Sequence, residues 1–179
     1  MTDAVSIRLG SPADIDALEP LWLAIHHQHV ASMPQLAPYV DDTASWAGRS
    51  VLYRRLLGGD DGILVLAESN GEPIGYGVAV VTPATDTFVL DDTWVTGPRI
   101  GEIESLGVLP GHRGRGLGSR LLERLVDELA ARGVSDLVIG LLAGNEAALR
   151  LYRRHGFEPT WLYVSRFAAT AGSRPGAPA

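Results

Sequence analysis

Residues 113–118 read Arg113-Gly114-Arg115-Gly116-Leu117-Gly118, and the chemistry open to them is anion binding. The turn stands between a segment patterned as a strand and one patterned as an amphipathic helix. A helix start presents unpaired amide N–H groups and a partial positive charge. Glycines let a ligand come close to the backbone, and arginines supply fork-shaped donors that match phosphate oxygens. A glycine-rich turn with solvated arginines explains the hexapeptide alone equally well. A Walker loop requires a lysine before its Ser/Thr, and this turn ends Gly118-Ser119-Arg120. A dinucleotide fingerprint requires a ribose-binding acid at the end of the next strand, and Asp136 precedes that strand.

Titratable groups lie on both sides of the turn. Glu102 and Glu104 sit at period-two spacing on one strand, so both face the same way and Ile103 faces the other. Such a pair can act as a base through water, bind an ammonium group, or merely solvate a sheet face. Tyr152 carries a phenol, a donor with a pKa of about 10, and is either chemical or a packing residue. Asn145 opens the same short helix and reads as a cap. His26, His27 and His29 supply too few ligands at this spacing for a metal site, so none is expected; an ordinary surface or part-buried role is expected instead, with substrate contact as the alternative. Asp41, Asp42, Asp91 and Asp92 read as solvated loop charges.

The elements that must position these groups follow from periodicity. Val5–Leu9 alternates as a first strand. Ser11-Pro12 with Asp14 starts a helix carrying Leu18, Leu21, Trp22, Ile25 and His29 inward; Thr43–Leu57 is a second, with Trp46, Leu52 and Leu56 inward. Ile63–Glu68 and Ile74–Val81 form a hairpin through Asn70-Gly71. Residues 82–97 are irregular, with Phe88, Val89 and Trp94 as anchors. Ile100–Leu109 is a strand, and Leu117, Leu121, Leu122, Leu125, Val126 and Leu129 mark a helix closed by Gly133. Leu137–Leu142 is a buried strand, Asn145–His155 a short helix, and Trp161–Phe167 a last strand. The reading is one α/β domain over 1–167, with 168–179 as a disordered tail.

Composition sets the outer limits. The chain has 179 residues, 46% hydrophobic, and no cysteine, which excludes disulfides, thiolate metal sites and a cysteine nucleophile. A net charge of −6 argues against a bulk grip on nucleic acid. Neither a signal peptide nor a membrane span is legible, so a cytoplasmic protein without membrane or nucleic-acid partners is expected.

The stretch Ile103–Leu125, IESLGVLPGHRGRGLGSRLLERL, resembles the acetyl-CoA-binding core of the GNAT acetyltransferases. Arg113, Gly116 and Gly118 match the family pattern Arg/Gln-x-x-Gly-x-Gly/Ala. Asn145, Tyr152, Gly156 and Phe157 match the family's following motif, an asparagine opening a helix, a tyrosine seven residues on, then Gly-Phe. The resemblance implies a GNAT fold: a central, mixed, mostly antiparallel twisted sheet of about six to seven strands, flanked by about four helices and splayed between the strands at 100–109 and 136–142.

It further implies acetyl-CoA as cofactor. Its pantetheine arm would lie along the backbone of Leu106, Gly107 and Val108, and its diphosphate on the amides from Arg113 through Gly114, Arg115, Gly116, Leu117 and Gly118 to Ser119, with Asn145 beside the arm. The implied reaction is N-acetylation of a primary amine on a small molecule or protein. Tyr152 would protonate the departing sulfur, and Glu102 or Glu104 would be the base. A non-catalytic acyl-CoA sensor is the alternative. Family members that acetylate peptide N-termini often carry a glutamate where this chain has Gly140, which leans toward another amine. A monomer or homodimer is expected.

Overall fold

The computed structural model describes residues 5–87 and 94–165. Phe88, Val89, Asp91, Asp92 and the tail at 168–179 lie outside the described residues.

One sheet runs in the order β1 (Val5–Leu9), β2 (Gly62–Ser69), β3 (Glu72–Pro83), β4 (Arg99–Val108), β5 (Leu137–Ile139). The first three pairings are antiparallel; β4 and β5 are parallel. Parallel neighbours need a crossover, and α3 (Leu117–Ala131) supplies it. The β2–β3 hairpin turns at Asn70 (φ 53°) and Gly71 (φ 81°), two consecutive positive-φ residues as a type I′ turn demands.

Alternation along the strands builds two cores. Ile63, Val65 and Ala67 join Leu117, Leu121, Leu122, Leu125 and Leu129 of α3 and Tyr152 of α4 (Glu146–Arg154) on one face. Leu64, Leu66, Tyr76 and Val78 meet α1 (Glu19–Ser32), α2 (Asp42–Leu57) and a 3₁₀ segment at Pro12–Leu18 on the other. The first predicted helix therefore divides: its opening turns are 3₁₀, with Asp14 accepting from the Ser11 amide, and α1 follows.

Three sequence expectations are corrected. The sheet has five strands among the described residues, below the expected six to seven. Residues 161–165 form no strand: Trp161, Leu162, Tyr163 and Val164 are exposed, and Trp161 packs edge-on to Trp94 at 5.5 Å. Alternating apolar residues become a strand only where an edge receives them. β5 pairs over three residues and ends at Ile139, short of the expected Leu142.

α3 lies close to the sheet because the residues beneath it lack side chains. A Cβ at Gly77 would stand 2.6 Å from Leu125 Cδ1. At Gly101 it would stand 2.6 Å from Leu137 Cδ2 and 2.9 Å from Leu129 Cδ2. Gly101→Ala should therefore cost about 1–3 kcal/mol by overpacking. Gly111→Ala, whose Cβ would meet nothing within 4 Å, should stay within about 0.5 kcal/mol of the parent. Thermal unfolding of the two variants checks this; equal Tm values would refute the packing account.

Candidate active site

β4 and β5 pair only from Gly101↔Leu137 to Ile103↔Ile139. Beyond that β5 leaves, and β4 runs on to Val108 without a paired strand on that side among the described residues. A cavity of about 420 Å³ occupies the gap. Leu106, Gly107 and Val108 form one wall, Gly114, Gly116, Leu117, Gly118 and Ser119 the next, and Asn145, Ala148, Leu151 and Tyr152 the third. Of the candidate cofactor-binding residues, only Arg115 is absent from this lining.

The turn before α3 has the geometry its glycines allow. Gly114 (φ 75°) and Gly116 (φ 76°) are both left-handed, which costs glycine nothing and other residues strain. Gly116 is the residue before the helix, and the first helical bond is Arg120 N–H to Gly116 C=O at 3.1 Å. The amides of Leu117, Gly118 and Ser119 are left without helical partners at the cavity. Arg113 lines the cavity and is also hydrogen-bonded within the chain. Its Nε donates to Val108 C=O at 2.9 Å, and its terminal nitrogens donate to Gln28 Oε1 at 3.3 Å and Ala24 C=O at 3.4 Å. It fastens the turn to β4 and α1.

α4 brings the third wall. Asn145 Oδ1 accepts from Ala148 N–H at 3.2 Å, the cap that the sequence suggested. Tyr152 is 6% exposed and packs against Phe157 with ring centroids 6.0 Å apart. Burial pushes its pKa up to about 12, so the phenol keeps its proton throughout the neutral range.

The two glutamates face α2, opposite the α3 core that holds Ile103. Glu104 is ion-paired with Arg49, whose guanidinium carbon lies 3.7 Å above the Trp22 ring. Glu102 is half-buried and has no hydrogen-bond or ion-pair partner among the described residues. Desolvation first, then the charge of Glu104, raises its pKa.

The other candidates have structural employment. His26 Nε2–H donates to Val40 C=O at 3.1 Å, and His27 bonds Asp42 at 2.9 Å. Asp41 caps α2 by accepting from Ala44 N–H at 2.8 Å. His29 meets Trp22 edge-on, and burial holds its pKa below the ordinary value, with Arg49 and His26 adding to the depression. No group of three or more described His, Cys, Asp or Glu residues is placed to hold a metal ion, and no described helix is long and apolar enough to cross a membrane.

Sequence reasoning missed several neighbours of the cavity, among them Ile25, Gln28, His112 and Arg154. Gln28 and Ile25 lie on one face of α1 at i, i+3, a spacing that reports a shared face and cannot say what the face meets. Arg49, Tyr53, Tyr76 and Ser105 were also missed, for the same reason.

The sequence model of the Acetyltransferase (GNAT) family matches residues 22–157. The L-methionine sulfoximine/L-methionine sulfone acetyltransferase of Salmonella typhimurium is 30% identical over 158 residues, covering 87% of this chain and 81% of that protein. The mycothiol acetyltransferase of Beutenbergia cavernae is 32% identical over 160 residues, 88% of this chain; the chain spans 47% of that relative's length. Among solved structures, the aminoglycoside N-acetyltransferase AAC(6')-Iy in complex with CoA superposes with a TM-score of 0.68 at 17% identity, covering 93% of this chain and 96% of that one. At that identity the likeness is one of fold.

The raised pKa of Glu102 fixes a sign. Above its folded-state pKa the folded protein carries an ionised, desolvated carboxylate beside Glu104, a cost that the unfolded chain does not bear. Its contribution to stability is thus present at low pH and lost as pH rises through the folded pKa. Glu102→Gln should raise Tm at pH 7–8, and the gain should vanish once the pH falls below the unfolded carboxyl's pKa of about 4.3. Thermal unfolding across that range checks it; a variant less stable at pH 7 would show that Glu102 has a favourable partner.

Proposed function

This chain belongs to the GNAT acetyltransferase family, and we propose that it transfers an acetyl group from acetyl-CoA to a primary amine by direct attack on the thioester. One observation carries the reading. The gap where β5 leaves β4 is lined both by the partnerless amides at the start of α3 and by the protonated phenol of Tyr152.

The donors fit the cofactor. The amides of Leu117, Gly118 and Ser119, with the open backbone of Gly114, Arg115 and Gly116, suit a diphosphate. The edge of β4 at Leu106, Gly107 and Val108 has no strand neighbour there and suits an amide-bearing chain that adds as a strand, although Arg113 already takes the Val108 carbonyl; Ala148 and Leu151 give that chain an apolar wall. Arg113 serves by fixing the turn. Asn145 serves by fixing the start of α4, since its side-chain oxygen is spent on Ala148.

Bound acetyl-CoA supplies the activated acyl thioester. The residues of the chain must handle two protons. An alkylamine of lysine type has a pKa of about 10.4, and freeing it at pH 7 costs roughly 4–5 kcal/mol. Glu102 is the proton acceptor, directly or through one water; a carboxylate whose pKa is raised toward neutrality is a better base at pH 7 than an ordinary one. Glu104 is held by Arg49 beside Glu102. Tyr152 is the donor to the departing sulfur. The same burial that raises its own pKa disfavours a bare thiolate next to it, so the transfer is less uphill than the pKa of the phenol alone suggests. The acceptor is a small molecule or a protein amine, and the expected setting is the cytoplasm.

Acetyl-CoA at about 100 times its dissociation constant should stabilise the protein by roughly 2.7 kcal/mol in a thermal-shift assay, with ATP inert. With an amine acceptor and thiol release as readout, Tyr152→Phe should lower kcat by about 10²-fold or more with KM for acetyl-CoA little changed. Glu102→Gln should flatten the acidic limb of the pH–rate profile. Acetyl-CoA binding with no turnover on any amine, unaffected by Tyr152→Phe, would favour a non-catalytic sensor; no binding at all would sink the assignment.

A further inference from the structure

Three buried hydroxyls meet on the α1/α2 side of the sheet. Tyr53 of α2 donates to Ser105 Oγ of β4 at 2.7 Å, and its oxygen lies 2.7 Å from that of Tyr76 on β3. A phenol has one proton; Tyr53 spends it on Ser105, so Tyr76 is the donor to Tyr53. All three side chains are buried.

The place where they meet is irregular. Val78 pairs with Ser105 and Ala79 with Ile103, so Glu104 is an extra residue, a bulge in β4. Ile103, just before the bulge, is the last residue of β4 that pairs with β5. Leu106, just after Ser105, is the first residue of β4 that lines the cavity. Bulge, end of pairing and start of the gap fall within four residues. A bulge bends its strand and increases local twist, which is what a sheet that must part at this point requires.

α2 holds both residues of the bulge. Arg49 takes Glu104 and Tyr53 takes Ser105, and the two helix residues are four apart, on one face. A strand can slip by one residue and exchange its faces. Here a slip would bring Leu106 or the Glu104 carboxylate under the Tyr53 hydroxyl and leave a buried donor unpaired, or a charge misplaced. Tyr76 also reaches the far side of the kink: a Cβ at Gly107 would stand 3.1 Å from its ring.

We propose that Tyr53 and Ser105, with Tyr76 behind them and Arg49–Glu104 beside them, are positioning residues that pin the bulge of β4 and so set the width of the cofactor cleft. The proposal rests on the acetyl-CoA reading of that cleft. None of the three hydroxyls is assigned contact with the reacting atoms.

Tyr53→Phe and Ser105→Ala, singly and together, test it in the full-length protein. Each single change should raise KM and Kd for acetyl-CoA about tenfold while kcat at saturation changes less than about threefold. The double variant should be no worse than the worse single, because both remove one bond. In the protein without cofactor, hydrogen exchange should quicken in peptides covering 99–109 and hold steady in those covering β1 and β2. Unchanged affinity with a lowered Tm, multiplying effects in the double variant, or exchange rising evenly across the sheet would each overturn the proposal. If the parent protein itself fails to bind acetyl-CoA, the functional reading falls, while the exchange comparison still decides whether the hydroxyls pin the bulge.

Discussion

The structure turns on a parallel pairing that stops after three residues. β4 and β5 share a ladder from Gly101 to Ile103 and then separate, leaving the backbone of Leu106 to Val108 with an open edge inside the protein. An open edge is a liability for a folded chain, because its N–H and C=O groups demand partners. A ligand with its own amides satisfies that demand. The gap lets residues from the two faces of the sheet approach each other, whereas the neighbouring strands β1 to β4 are paired along their length. The cavity accordingly collects Ile25 and Gln28 from α1 together with residues of α3 and α4.

Two kinds of support keep that gap from closing or collapsing. On the α3 side the support is absence of bulk. Gly75, Gly77 and Gly101 let the leucines of α3 sit against the backbone, which brings the first turn of the helix, with its partnerless amides, down to the rim. On the α2 side the support is polar and specific. Hydroxyls and one ion pair fix the bulge, and a buried hydroxyl network tolerates only one register because any other leaves it unsatisfied. Arg113 completes the frame by binding Val108 C=O, so the turn is anchored to the very strand it faces. Its guanidinium is legible in the sequence as a phosphate ligand; in the fold it also donates to a carbonyl at the end of β4.

Local signals were the ones that the sequence carried well. The Asn70-Gly71 turn, the leucine stripe of α3, the Asn145 cap and the glycines at positive φ all report interactions within a few residues, and each stands where its pattern indicates. The shared face of Glu102 and Glu104 was legible for the same reason. The bulge was not: period-two alternation survives on one side of Glu104 and restarts on the other, and nothing in the residue types marks the break. Tyr53, Tyr76 and Ser105 are separated by 23 and 52 residues, counted from Tyr53, so their meeting is a product of topology. Trp161 to Val164 is the converse case. Its alternation is a strand pattern, yet strand formation depends on an available edge, and the described part of that segment stays exposed.

In the proposed reaction the fork separates the two proton-handling groups by the sheet itself. Tyr152 lines the gap from the α4 side, while Glu102 lies outside that lining and faces the α2 side, so the proposed acid and base stand on opposite faces of the sheet. That placement lets one physical cause do two jobs. Burial raises the pKa of both groups, but the consequence depends on which form is needed. For a phenol, raising the pKa keeps the proton on and preserves a donor. For a carboxylate it increases proton affinity and improves a base. Had the two groups shared a face, each would have sat in the other's field, and the carboxylate charge would have pushed the phenol's pKa higher still, against the transfer it must make. Glu104 shows how the chain handles the charge that does lie close to Glu102. Arg49 binds it, and the flat contact of that guanidinium with Trp22 keeps the cation on Glu104 and away from Glu102. The neighbouring Glu102 is thereby left, among the described residues, with an unpaired, half-desolvated carboxylate, the state that the proposed base must hold before its proton arrives.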